Sequence, residues 1–134
     1  MDAPKPNASA CLISGPCGVG KSLSIKLMAK ELGYEIMHMN ASDTRNKKSI
    51  EQHVKELSTN VTFDYFRPKK EETKSKKALI IMDEIDGVGM NDRGGIAAII
   101  SIIKETKTPV VCICNDRFNQ KLKTLTNYCF DVKF

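Results

Sequence analysis

No stretch of this sequence approaches the roughly 18–20 consecutive apolar residues that a membrane-spanning helix needs, so no membrane partner is expected. The opening residues Met1 to Pro6 are not followed by a long apolar stretch, so they are not expected to act as a secretory signal. No Cys-x-x-Cys pair occurs, and neither His38 nor His53 stands near a thiol at zinc-finger spacing, which argues against structural zinc. The five cysteines, Cys11, Cys17, Cys112, Cys114 and Cys129, are an odd number and read as reduced thiols, most of them small hydrophobes in strands. No internal repeat appears. Charge is only mildly biased: 21 basic against 16 acidic residues leave +5, which permits contact with phosphates without requiring it. What is present is 134 residues, 41% apolar and 28% charged, enough for one globular domain with one core.

The apolar pattern alternates between strand and helix signals. Ala10–Ser14 reads as a buried strand, followed by a helix over Lys21–Leu32 with Leu23, Leu27, Met28 and Leu32 at helical spacing and Gly33 as a left-handed stop. Glu35–Asn40 reads as a second strand, and Ile50, Val54 and Leu57 mark one face of a second helix. Arg67–Lys77 has no aliphatic residue and reads as a solvated surface loop. Ala78–Met82 is a continuous apolar run of the central parallel-strand kind. A turn at Asp92–Gly95, an apolar helix at Ile96–Lys104, a strand at Val110–Cys114, a short helix at Asn119–Tyr128 and a strand at Cys129–Phe134 complete the order. Such alternation predicts βαβ units, right-handed crossovers and a five-stranded parallel sheet in a three-layer α/β domain over residues 10–134, preceded by a flexible segment at 1–9.

Between the first strand and first helix stand Gly15, Pro16, Cys17, Gly18, Val19, Gly20, Lys21 and Ser22, fitting Gly-x-x-x-x-Gly-Lys-[Ser/Thr]. Phosphates need closely approaching backbone N–H groups, which glycines allow, and the helix start adds free donors. Lys21 is expected to reach the β- and γ-phosphates of ATP, and the Ser22 hydroxyl to ligate Mg²⁺. Asp83 and Glu84 follow the third strand, where an open parallel sheet faces its ligand crevice. Asp83 is placed to hold Mg²⁺, and Glu84 to orient and polarise a water for in-line attack. A small-molecule kinase has no use for a water-activating carboxylate there, so the pair favours hydrolysis. Asp86 reads as a loop-stabilising residue. Asn115, closing the fourth strand, can hydrogen-bond the γ-phosphate and the attacking water. Asn40, at the end of the second strand, is a candidate for holding Glu84 off the water until a partner binds.

Together these motifs resemble the AAA+ ATPases, and more narrowly the core of clamp-loader large subunits of the replication factor C type. The resemblance is carried in order by Gly15–Ser22, Glu31–Tyr34, Met39–Arg45, Ile80–Val88, Asn91–Ile96, Ile113–Arg117 and Cys129–Phe134. It implies a nuclear ATPase subunit in a five-membered spiral that opens a ring-shaped sliding clamp and loads it on primer–template DNA. A paralogous large subunit shares most of these segments, and an ATP-responsive binding module that rarely hydrolyses is the alternative from another functional class. Where small subunits carry Ser-Arg-Cys, this sequence has Asn127-Tyr128-Cys129, so the resemblance implies that it receives an arginine finger from a small subunit instead of donating one there. A missing finger costs about 10³–10⁵ in rate, so weak hydrolysis is expected in isolation. Relative to the family, an adenine-framing region and the helical lid are missing, which marks the chain as an expected fragment with weak ATP binding. The family also implies a clamp-binding element at the helix Ile96–Lys104 and the chain after it. Ala98, Ile99, Ile102 and Ile103 are its candidates here, with plain packing on the sheet as the competing reading. Arg93, read as lying just before that helix, is a candidate DNA-phosphate contact or a loop-stabilising arginine.

Overall fold

The computed structural model describes residues 9–42, 52, 77–88 and 93–134. Residues 1–8, the expected helix around Ile50, Val54 and Leu57, and nearly all of the basic stretch at 67–77 lie outside the described residues; Lys77 opens a strand. The elements are β1 (Ala10–Ser14), α1 (Lys21–Glu31), β2 (Tyr34–Asn40), β3 (Lys77–Asp83), a 3-10 turn (Ile85–Gly87), α2 (Arg93–Glu105), β4 (Val110–Cys114), a 3-10 turn (Gln120–Leu122), α3 (Lys123–Thr126) and β5 (Cys129–Lys133). Gly33, at φ 74°, ends α1 as its sequence position predicts. Among the described residues no helix is long and apolar enough to cross a membrane.

All five strands are parallel, in the order β2-β3-β4-β1-β5. The connection from β1 to β2 runs across the sheet in one direction, while those from β3 to β4 and from β4 to β5 run in the other. Right-handed crossovers therefore place α1 on one face and α2 and α3 on the opposite face. The side chains obey this division. Leu12, Ile80, Met82, Val110 and Cys112 join Ala98, Ile99, Ile102, Ile103, Leu122 and Leu125 in one core cluster. Ile13, Ile81 and Ile113, one residue out of phase on the same strands, join Ile25 of α1 on the other face. This is a three-layer α/β arrangement of the P-loop NTPase kind. Direction reverses between β1 and β4, and the crevice at that switch point, beyond the strand carboxyl ends, is where such sheets bind ligands.

Three expectations need correction. On α1 the residues turned inward are Lys21, Ile25 and Ala29, at four-residue spacing. Leu23, Leu27, Met28 and Leu32 are 53–72% exposed. The helix carries two interleaved periodic stripes, and the less conspicuous one meets the sheet. Next, α2 already begins at Arg93, so Arg93 is its first residue and 93–95 are helical rather than a turn.

The third correction concerns the candidate clamp contacts. Ala98, Ile99, Ile102 and Ile103 are at most 5% exposed, all within the main core cluster. An edge strand would leave one flank of its helix free, but α2 crosses between β3 and β4 in the middle of the sheet, so that arc is covered. These four residues cannot dock a partner without unpacking the core. Ile102→Asp is accordingly expected to abolish the cooperative thermal transition seen by circular dichroism. A buried unpaired carboxylate costs several kcal/mol, on the order of the ~5–15 kcal/mol that holds a domain folded. A native-like melting curve for this variant would place Ile102 on the surface after all.

Candidate functional site: a phosphate loop at the β1/β4 crevice

β1 delivers Gly15 to the rim, and the loop then turns through Gly18 at φ 77° and Gly20 at φ 87° before α1 starts at Lys21. Left-handed backbone of this kind costs any L side chain about 1–2 kcal/mol, which explains why glycine stands at both positions. Gly15 is constrained differently. A Cβ there would stand 3.0 Å from Phe134 Cβ and 3.1 Å from Phe134 O. The Phe134 N–H donates to Ser14 O at 2.8 Å, so the residue after β5 lies directly against the root of the loop.

Lys21 is only 6% exposed, and a buried ammonium must be matched by acceptors. Its Nζ donates to Gly15 O at 2.7 Å, Pro16 O at 2.7 Å and Asn115 Oδ1 at 2.9 Å, which uses all three of its protons. The lysine thus folds back across its own loop onto the end of β4. The acceptor end of the Asn115 amide is committed to Lys21, and the donor end, Nδ2, is the end available to a phosphate oxygen or a water.

Ser22, the second residue of α1, donates its hydroxyl to Asp83 Oδ2 at the end of β3. Two hard oxygen donors, one from each motif, meet there, the donor chemistry that Mg²⁺ takes. Asp83 Oδ1 accepts the Glu84 N–H at 2.8 Å. Glu84 itself is exposed, with φ 54°. A non-glycine residue in that region stores strain of order 1–3 kcal/mol, and such strain clusters at functional sites. Its Oε2 accepts from Asn40 Nδ2 at 3.0 Å, so the candidate restraint on Glu84 is made in this structure. Asp86 Oδ2 accepts from the N–H groups of Asn115 (3.0 Å) and Asp116 (3.2 Å), as a loop-stabilising residue would.

Lys21, Ser22, Asp83, Glu84 and Asn115 therefore converge from the start of α1 and the ends of β3 and β4. Three further participants escaped the sequence reading. His38 Nε2 lies 3.5 Å from Asp83 Oδ2. Its only sequence signal is its place two residues before Asn40, which the parallel pairing of Asn40 with Asp83 brings to the same rim. Ser42 Oγ lies 3.1 Å from Glu84 Oε2. Arg117 pairs with Asp131 of β5 and ties the loop after Asn115 to that strand; nothing in the spacing of residues 117 and 131 announces this.

The cysteines behave largely as expected. All five are free thiols, and Cys112, Cys114 and Cys129 are buried. Burial pushes the Cys11 and Cys114 thiols up to about 11, so they stay protonated and unreactive at neutral pH. Cys17, on the phosphate loop, is the exposed one.

Comparison with known proteins agrees with this geometry. Residues 11–134 match the family described as ATPase family associated with various cellular activities (AAA). The chain is 45% identical to human Replication factor C subunit 1 over 93% of its own length and 11% of that protein. It is 41% identical to the Drosophila melanogaster protein of the same name, over 93% of the chain and 13% of the relative. It is 39% identical to the Replication factor C large subunit of Nanoarchaeum equitans, over 97% of the chain and 28% of the relative. The chain thus spans between about a tenth and just over a quarter of the length of these relatives. With the fold, the loop and the match over nearly its full length in agreement, the chain belongs to the AAA family of ATPases.

Proposed function

We propose that this chain is the ATP-binding and hydrolysing core of a clamp-loader large subunit of the replication factor C type, acting in the nucleus. The observation that carries the hydrolytic part is the placement of Glu84. A carboxylate directly after the Mg²⁺-binding Asp83 is tethered by Asn40 at 3.0 Å instead of standing free at the phosphate loop. A hydrolase under partner control needs both a water-orienting carboxylate and a means of withholding it.

In this reading the loop amides from Gly15, Pro16, Cys17, Gly18, Val19 and Gly20 cradle the phosphates of ATP. Lys21 exchanges its three protein acceptors for β- and γ-phosphate oxygens. Ser22 and Asp83 would hold Mg²⁺, which supplies charge neutralisation across the phosphates. Glu84, released from Asn40, orients the attacking water and accepts its proton. Asn115, freed from Lys21, donates Nδ2 to the γ-phosphate side of the reaction. Tyr128 occupies the position where finger-donating subunits carry arginine, and Lys104 Nζ sits 4.7 Å from its ring centroid. Tyrosine supplies no guanidinium, so this chain donates no finger from that position, and by its resemblance to the clamp-loader large subunits it receives one from a neighbouring small subunit. Primer–template DNA is the triggering ligand, and Arg93 is the candidate for a contact with its phosphates. The sliding clamp is engaged through surfaces other than the buried arc of α2.

The test is to assemble the full-length protein with its small subunits and measure phosphate release with the clamp, with and without primer–template DNA. Turnover by the complex with DNA is expected to exceed that of the chain alone by about 10³ or more, the magnitude of a missing arginine finger. Equal rates for the chain and the complex would overturn the assignment.

A further inference from the structure

We infer that Ser42 is a positioning residue that shares with Asn40 the task of holding Glu84 in its withheld place; the inference rests on the hydrolytic reading of Glu84 given above. Asn40 ends β2, and the backbone pairing continues one residue further through Ala41 N–H to Asp83 O at 2.8 Å. That bond fixes Ser42 against the turn following β3. The approach is close: a Cβ at Gly87 would stand 3.2 Å from Ser42 Cβ.

Two acceptors compete for the Ser42 hydroxyl. Its Oγ lies 2.6 Å from Asn40 Oδ1 and 3.1 Å from Glu84 Oε2. Asn40 Oδ1 also receives the Ser42 backbone N–H at 2.9 Å. The arrangement has two consequences. The N–H anchors the oxygen end of the Asn40 amide at Ser42, so its NH₂ end is the one that faces the carboxylate, which has only acceptor capacity when ionised. The single hydroxyl proton can then serve either acceptor. With Glu84 withheld, the 2.6 Å contact puts the proton chiefly on Asn40 Oδ1, with Glu84 Oε2 at 3.1 Å as the more distant acceptor of a three-centre bond. With Glu84 released, the proton stays on Oδ1, and Asn40 Nδ2 exchanges the carboxylate for water. Ser42 therefore holds the Asn40 amide in the orientation that donates to Glu84 and adds a weaker contact of its own to Oε2, while its hydroxyl keeps an acceptor when Glu84 leaves.

The sequence contains Ser42 within Asn40-Ala-Ser-Asp43, which on its own reads as a turn. The structure supplies what the turn reading lacks, the carboxylate of Glu84 on the far side of the hydroxyl.

The experiment compares wild type, Ser42→Ala, Ser42→Thr and Glu84→Gln, each in the assembled full-length complex, with and without primer–template DNA. Alanine keeps the backbone N–H and its bond to Asn40, so it removes the hydroxyl alone. Ser42→Ala is expected to raise turnover without DNA by about three- to tenfold, the factor that one net hydrogen bond represents. Turnover with DNA and ATP affinity should stay at wild-type level, so the stimulation ratio falls by the same factor. Ser42→Thr, which retains a hydroxyl, is expected to restore the ratio. An unchanged ratio in Ser42→Ala, or a parallel fall of both rates as from a loosened fold, would overturn the inference. Glu84→Gln keeps the two failures apart. If it abolishes turnover while Ser42→Ala leaves the ratio unchanged, Ser42 has no part in the restraint but the hydrolytic reading stands. If it keeps full turnover, the hydrolytic reading fails and the inference with it.

Discussion

Glu84→Gln is expected to leave ATP bound at close to wild-type affinity and to lower turnover in the assembled complex by about 10²–10⁴, the contribution of a positioned general base. Glutamine has the same shape, and its amide oxygen can still accept from Asn40 Nδ2, so the rim geometry survives the exchange. What is lost is the proton acceptor. Affinity is predicted to hold because Glu84 lies on none of the groups that bind phosphate: Lys21 meets Gly15, Pro16 and Asn115, and Ser22 meets Asp83. Phosphate release together with calorimetric titration of a slowly hydrolysed ATP analogue reads both quantities. Undiminished turnover would favour the binding module that rarely hydrolyses.

Lys21→Met is expected to act on the other half of the cycle. Charge-assisted hydrogen bonds contribute about 1.5–3 kcal/mol each, so losing two to the phosphates should weaken ATP binding by about a hundredfold or more. The fold should barely notice. Methionine fills most of the same volume, and the acceptors left behind, including the exposed Pro16 and Asn115, can turn to water. The thermal midpoint without nucleotide is therefore expected to move by no more than about 1 kcal/mol implies, a few degrees for a domain of this size. In wild type, by contrast, saturating ATP should raise the midpoint through linkage, and Lys21→Met should abolish that rise. A variant that lost nucleotide binding and fold together would show that the buried ammonium is structural first.

The comparison of sequence with structure separates local from non-local information. The phosphate loop, Asp83, Glu84 and Asn115 were legible because each is written within a few residues of a strand end, and strand ends are marked by where an apolar run stops. The five strands were found to within a residue for the same reason. What could not be read depended on which elements become neighbours. Whether the isoleucine arc of α2 faces solvent is decided by α2 lying over the middle of the sheet, and nothing local to Ile96–Lys104 encodes the strand order. The inner stripe of α1 was missed because Lys21, Ile25 and Ala29 are a less apolar set than the leucines beside them; burial followed the position of the loop that starts the helix. Ser42 and His38 became participants only through the register between β2 and β3, which joins residues more than 40 positions apart.

The strand order also divides the site by how readily its parts open. Among the described residues, β1, β3 and β4 are flanked on both sides by other strands, whereas β2 and β5 are edges. Lys21, Asp83 and Asn115 follow interior strands, whose release from the sheet approaches the free energy of complete unfolding; the end of an edge strand frays at far lower cost. Asn40 and Ser42 stand at the end of β2. The groups proposed for the chemistry thus follow interior strands, and those proposed to withhold Glu84 follow an edge strand, which opens at lower cost. A perturbation too small to disturb the phosphate loop can still loosen the restraint, so the rate of the restraint's opening and the integrity of the phosphate site are set by separate parts of one sheet.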